Sequence, residues 1–168
     1  GARALVGSQV GGRAGERLGL VVGEGAERVI GARSLAEGAL KMCSGAAARF
    51  DLGEARAFTG WGLDPASTHS IPAALSGINP GNAGRLKLKW AFGFPGSQRM
   101  RSHPALAAGA ILVGNQNGSV YALDRATGCV RWTFEAQAEV RTSVLVAPWR
   151  TGDRRARPLA WFGDTTGE

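Results

Sequence analysis

Short apolar runs, turn residues set closely between them, and a pattern that restarts after about 40–50 residues predict an all-β fold of small antiparallel sheets. The runs at 105–108, 110–115 and 119–123 are each short and apolar. Ala108-Gly109 separates the first two. Asn115-Gln116-Asn117-Gly118 separates the second from the third, and its Asn-Gly pair is a strong hairpin signal because both residues accept positive φ. A further turn, Asp124-Arg125-Ala126-Thr127-Gly128, leads into Cys129-Val130-Arg131-Trp132-Thr133-Phe134. The spacing predicts a four-stranded antiparallel sheet within 101–135, with Trp132 on the outermost strand and no helix.

The same grammar then restarts. Arg141-Thr142-Ser143-Val144-Leu145-Val146 parallels Arg101-Ser102-His103-Pro104-Ala105-Leu106 at an offset of 40. Ala160-Trp161-Phe162-Gly163-Asp164 parallels Ile111-Leu112-Val113-Gly114-Asn115 at an offset of 49, the extra residues falling in the arginine-rich stretch 149–158. Trp90 and Trp132 repeat at 42. Four short strands per repeat of this length is the pattern of a β-propeller blade. The expected fold is therefore a β-propeller fragment: one four-stranded antiparallel blade plus the start of a second. The pattern calls for a further strand after Gly167-Glu168, so the chain is expected to stop inside a blade.

Upstream of the repeat, Leu86-Lys87-Leu88-Lys89-Trp90-Ala91-Phe92 alternates apolar and basic side chains, which predicts a strand with one face at the surface. Residues 61–84 carry turn chemistry with little periodicity. Residues 1–49 differ from the rest, and the first 50 hold 11 glycines and no proline. Leu18, Val21 and Val22 could share one helical face, and Leu35, Ala36, Ala39 and Leu40 another, but the glycines weaken both. The division predicted is a partly helical Gly/Ala-rich arm at 1–49 and a β domain at 50–168. A start at Gly1 with no basic-then-apolar leader leaves two readings, a targeting segment removed or a chain cut from something longer.

The net charge of +7 suggests nucleic acid at first sight. The arginines are scattered, however, apart from Arg150, Arg154, Arg155 and Arg157, and no aromatic residues interleave with them to make a stacking platform. A solvated loop on a basic protein explains them better. No apolar run approaches the roughly 20 residues of a membrane span. His69 and His103, the two histidines, have no cysteine or second histidine at ligand spacing, which argues against a metal site. Gly23-Glu24-Gly25 has Arg28 where a dinucleotide loop needs its third glycine. Cys43 and Cys129 are too far apart for a CxxC site, and no CxxCH haem motif is present. One disulfide and two buried thiols are both compatible with that count.

Two stretches carry a family resemblance. Ala122-Leu123-Asp124-Arg125-Ala126-Thr127-Gly128-Cys129-Val130-Arg131-Trp132 resembles the tryptophan-docking motif of quinoprotein alcohol dehydrogenases, A-x-D-x-x-T-G-x-x-x-W. In such a motif Asp124 and Thr127 fix the turn, Gly128 supplies a left-handed residue, and Trp132 lies flat between blades. The stretch from Trp61-Gly62-Leu63-Asp64 through Ile78-Asn79-Pro80-Gly81-Asn82-Ala83-Gly84 to Trp90-Ala91-Phe92 resembles the opening segment of those propellers, whose first strand joins the last blade and closes the ring. Leu88-Lys89-Trp90-Ala91-Phe92-Gly93-Phe94-Pro95-Gly96 and Val140-Arg141-Thr142 look most like the polyvinyl-alcohol dehydrogenase branch. The resemblance covers roughly residues 50–168. Residues 1–49 lack the haem motif of the cytochrome c module that often precedes such propellers, so they are at most its tail.

The resemblance implies a pyrroloquinoline quinone (PQQ) cofactor with calcium. It implies oxidation of polymeric or secondary alcohols, electron transfer to a cytochrome c, and a periplasmic or secreted location. An oxidising location, with Cys129 directly after a turn, implies a Cys43–Cys129 disulfide. The family's calcium ligands and catalytic aspartate fall outside this chain, and Arg101 stands where methanol-type members carry a glutamate. No catalytic residue is carried over, and the chain alone is expected to be inactive. PQQ bears several carboxylates and needs cations near it. Residues opening the inner strands of a propeller line its channel, so Arg101, Ser102, Arg141 and Thr142 are the cofactor-binding candidates. Surface or structural arginines are the plain alternative. At the level of the whole protein, the alternative is a non-catalytic PQQ-repeat propeller serving as an interaction scaffold.

Overall fold

The computed structural model describes residues 40–54, 58, 60, 61, 66, 68, 70–153 and 155–167. The helical faces expected before Leu40, and His69, lie outside the described residues. Strands β1 (Ala105–Ala107), β2 (Ala110–Gly114), β3 (Ser119–Asp124) and β4 (Val130–Glu135) form one antiparallel sheet in the order β1-β2-β3-β4. This is the all-β sheet the sequence predicts, with Trp132 on an edge strand. β2 and β3 pair from Ala110↔Asp124 to Gly114↔Val120. Ala108 and Gly109 join β1 to β2 at φ 48° and 69°, a two-residue turn whose left-handed backbone matches the twist of its strands. At the next turn the Asn115 side-chain oxygen accepts the N–H groups of Asn117 and Ser119, both at 2.9 Å.

Alternation along each strand divides the core into two faces. Ala105, Ala107, Ala110, Leu112, Val120 and Ala122 bury one side against Val140 and Val144. A second, two-stranded sheet also packs there, formed by β5 (Leu145–Val146) and β6 (Ala160–Trp161), with Leu145 opposite Trp161. Ile111, Val113, Tyr121, Leu123 and Val130 bury the other side against Phe94, with Trp90 and Phe92 alongside. The rings of Phe92, Phe94 and Tyr121 meet edge to face, their centroids 5.0–5.5 Å apart. Both central strands are thus covered on both faces.

No ladder forms over 86–92 among the described residues, and the partner that the resemblance implies for this strand, the last blade, lies outside this chain. These residues instead cross the second face of the sheet. Apolar alternation can arise from laying Trp90 and Phe92 onto a face as readily as from joining an edge. The Trp90 indole fills the Asp124–Gly128 turn. Its Nε1–H donates to the Arg125 carbonyl at 3.1 Å, and a Cβ on Gly128 (φ 75°) would lie 2.7 Å from its Cδ2. Asp124 sets the turn as expected, its Oδ2 accepting from the Ala126 N–H, the Thr127 N–H and the Thr127 hydroxyl at 3.1, 2.8 and 2.7 Å. In the 61–84 stretch two single helical turns appear, α1 (Ala73–Ser76) and α2 (Pro80–Ala83). Pro80 opens α2 where its missing N–H costs nothing, and Asn82 Oδ1 accepts the Asn79 N–H at 2.9 Å.

The segment before the sheet touches both of its edges. Val130 donates to the Lys41 carbonyl and accepts from the Cys43 N–H, at 2.9 and 2.8 Å, while Phe58 exchanges both backbone bonds with Leu106. Glu54 accepts the Gly109 N–H and pairs with Arg125. The expected Cys43–Cys129 disulfide is present, with Cα atoms 5.1 Å apart.

Two stability outcomes follow from this geometry. Gly128→Ala forces a left-handed alanine into contact with Trp90 and should cost more than about 2 kcal/mol in urea unfolding. A cost below 1 kcal/mol, about the intrinsic penalty of the backbone alone, would mean that the indole does not occupy the turn. Reducing the disulfide, which joins residues 86 apart, should lower the unfolding free energy by about 4 kcal/mol on the chain-entropy estimate. Urea midpoints with and without reductant measure it.

Candidate functional site

Two chain segments, 99–103 before β1 and 139–143 before β5, lie side by side and hold all four residues singled out from the sequence. Ser102 joins them. Its hydroxyl donates to the Thr142 carbonyl at 2.7 Å and accepts the buried Gly114 N–H at 3.1 Å. Thr142 repeats half of that role, its hydroxyl accepting the Gly163 N–H and donating to the Gly163 carbonyl, both at 3.0 Å. Ser102 with Gly114 and Thr142 with Gly163 are therefore equivalent pairs in successive repeats, at the offsets of 40 and 49 read from the sequence. Both hydroxyls are committed to backbone groups.

The arginines are placed differently. Arg101 and Arg141 keep 42% and 52% of their side-chain surface exposed and converge on Glu139, which keeps 17%. Arg141 donates from Nε at 2.8 Å and lies with Nη2 at 2.7 Å from the same Glu139 oxygen. Arg101 Nε stands 4.0 Å from the other oxygen. The hydrogen bond from Arg141 is the main cause holding the Glu139 carboxyl below the usual carboxylate range, aided by the charges of Arg141, Arg101 and Arg99 against a smaller opposing effect of burial. Two guanidinium groups against one carboxylate leave the cluster net positive.

Glu139 is the member that the sequence reading missed. The available signal was its position two residues before Arg141, because alternate residues of an extended segment point to the same side. His103 is packed against the Trp61 ring, centroids 5.6 Å apart, and its buried Nδ1 has no hydrogen-bond partner among the described residues.

Exposed guanidinium edges of this kind suit carboxylates. The described residues contain no group of three or more His, Cys, Asp or Glu able to hold an ion. No helix among them is long and apolar enough to cross a membrane.

Comparison with known proteins bears out the resemblance. The chain is 33% identical over 124 residues to a polyvinylalcohol dehydrogenase of Pseudomonas sp, and 33% identical over 127 residues to one of Sphingopyxis sp. (strain 113P3). Each match takes in 74% of this chain and spans 19% and 18% of the respective relative, so the chain corresponds to about a fifth of their length. No protein-family profile and no solved structure matches it.

Ser102→Ala removes the acceptor of a buried N–H and the tie between the two segments. It should destabilise the chain by about 1–3 kcal/mol, whereas Ser102→Thr, if its methyl is tolerated, keeps the bonds. A change under 0.5 kcal/mol in chemical denaturation would show that the hydroxyl is dispensable.

Proposed function

We propose that this chain is the N-terminal part of a PQQ-type β-propeller, the first blade and the start of the second, within a dehydrogenase that oxidises polymeric or secondary alcohols and passes electrons to a cytochrome c outside the cytoplasm. The observation that carries the reading is the convergence of Arg101 and Arg141, at equivalent positions of two repeats, on Glu139 in a chain similar to polyvinylalcohol dehydrogenases. The docking of Trp90 over Gly128 supports the propeller, because Trp132 stands 42 residues on and is available to a following repeat.

In this reading the bound quinone, with calcium, supplies the hydride acceptor for the alcohol carbon. This part of the chain contributes binding. Arg101 and Arg141 face the carboxylates, while Ser102 and Thr142 hold the two backbones that carry them. Calcium and the catalytic base would be held elsewhere in the protein.

The test uses the complete protein with an alcohol, an artificial electron acceptor, PQQ and Ca²⁺. Turnover should depend on both additions, and Arg101→Ala and Arg141→Ala should each raise the PQQ concentration needed for half-maximal activity about tenfold or more. No turnover at saturating PQQ would favour the scaffold alternative. Full reconstitution of both variants at wild-type PQQ would remove the arginines from the site.

A further inference from the structure

We infer that Glu139 is a positioning residue that converts Arg101 and Arg141 into a fixed two-armed clamp for a polycarboxylate. The inference rests on the proposed quinone reading and adds the element that orients its two cations. Arg141 is hydrogen-bonded to Glu139 through its Nε and Nη2 side, and Arg101 turns its Nε toward the other carboxylate oxygen at 4.0 Å, an ion-pair rather than a hydrogen-bond distance. The outer Nη1 edge of Arg141 has no hydrogen-bond partner among the described residues, and neither do the two Nη groups of Arg101. A guanidinium held by its Nε edge keeps its other donors available in a set direction, which suits a planar anion better than two free side chains do.

The carboxylate has a rigid base. Val140, between Glu139 and Arg141, is fully buried against Gly114, where an added Cβ would meet its Cγ1 at 2.4 Å. The Val140 N–H donates to the Asn115 carbonyl at 3.0 Å, the Glu139 carbonyl accepts from Thr165 at 2.9 Å, and the Thr142 carbonyl accepts from Ser102 at 2.7 Å. The backbone at 139–142 is thus fixed from both repeats. Glu139 also offsets the repulsion of two like charges on adjacent segments, to which Arg99 adds. A simple counter-ion would compete with an anionic ligand, so its removal would tighten binding. A positioning residue has the opposite effect.

The experiment compares Glu139→Ala, Glu139→Asp and Glu139→Gln in the complete protein. PQQ binding is read by quenching of tryptophan fluorescence, and inorganic pyrophosphate binding by calorimetry. Glu139→Ala should weaken PQQ about tenfold although the site gains positive charge. Glu139→Asp, which keeps the charge and withdraws the oxygens, should lose a similar factor. Glu139→Gln keeps an acceptor oxygen in place and should stay within about twofold of wild type or bind more tightly. Equal or tighter binding by Glu139→Ala overturns the inference, and so does a Gln variant as weak as the Ala variant. Should Glu139→Ala fail to fold, the Asp and Gln pair decides by the same ranking. Wild-type protein that binds pyrophosphate but not PQQ would count against the quinone reading alone, and the pyrophosphate ranking would then judge Glu139. Wild-type protein that binds neither anion overturns the clamp.

Discussion

The Arg131–Asp124 ion pair joins the last two strands of the sheet, and through Arg131 it ties in the segment that precedes the sheet. Arg131 Nη2 lies 2.7 Å from Asp124 Oδ1, with side chains only 4% and 7% exposed. A β-bulge explains how a residue of an edge strand comes to point there: Ala122 pairs with Trp132 and Leu123 with Val130, leaving Arg131 as the unpaired extra residue. Its remaining donors reach the Ala47 and Ala108 carbonyls at 2.9 and 3.0 Å, and its guanidinium sits 4.8 Å from the centre of the Phe50 ring. One side chain therefore ties the preceding segment, the β1–β2 turn and the docking turn together. Such a pair is costly to bury, and removing either partner alone strands the other charge, at a typical cost of about 3–5 kcal/mol. Burial pushes the Asp124 carboxyl up, yet the hydrogen bonds from Thr127 and Arg131 prevail and hold it below its ordinary value of 3.8. Its contribution is thus complete above that pH and is lost as pH falls toward the lower folded value.

Much of this was legible in the sequence because the signals were local. Asn-Gly and Thr-Gly turns, and apolar runs the length of one strand, define β1 to β4 without long-range information. The disulfide followed from the implied location of the protein. The alternation at 86–92 places Trp90 and Phe92 against the sheet and leaves Leu86 and Leu88 exposed, and periodicity of this kind does not record whether a partner strand lies beside the backbone. Within the docking motif, Arg131 occupies an unspecified position. Its role depends on a bulge that no residue type announces, and on partners in the 47–50 segment more than 80 residues earlier.

The candidate site depends on repetition more than on any single residue. Two copies of one structural unit place Ser102 and Thr142 in the same relation to Gly114 and Gly163, which fixes their backbones in parallel. Arg101 and Arg141, one residue earlier in each copy, are brought together by the same operation. A repeat that carries a cation at an equivalent position in each unit therefore concentrates like charge where the units meet, and the fold must either separate these charges or supply an anion. Here the copies differ two residues upstream, with Arg99 in the first and Glu139 in the second. That difference turns a repulsive pair into a braced one, while both guanidinium groups remain largely open to solvent. Hence the hydroxyls and glycines that the repeats share maintain the architecture, and the Arg99-to-Glu139 difference is where the chemistry of the site is set.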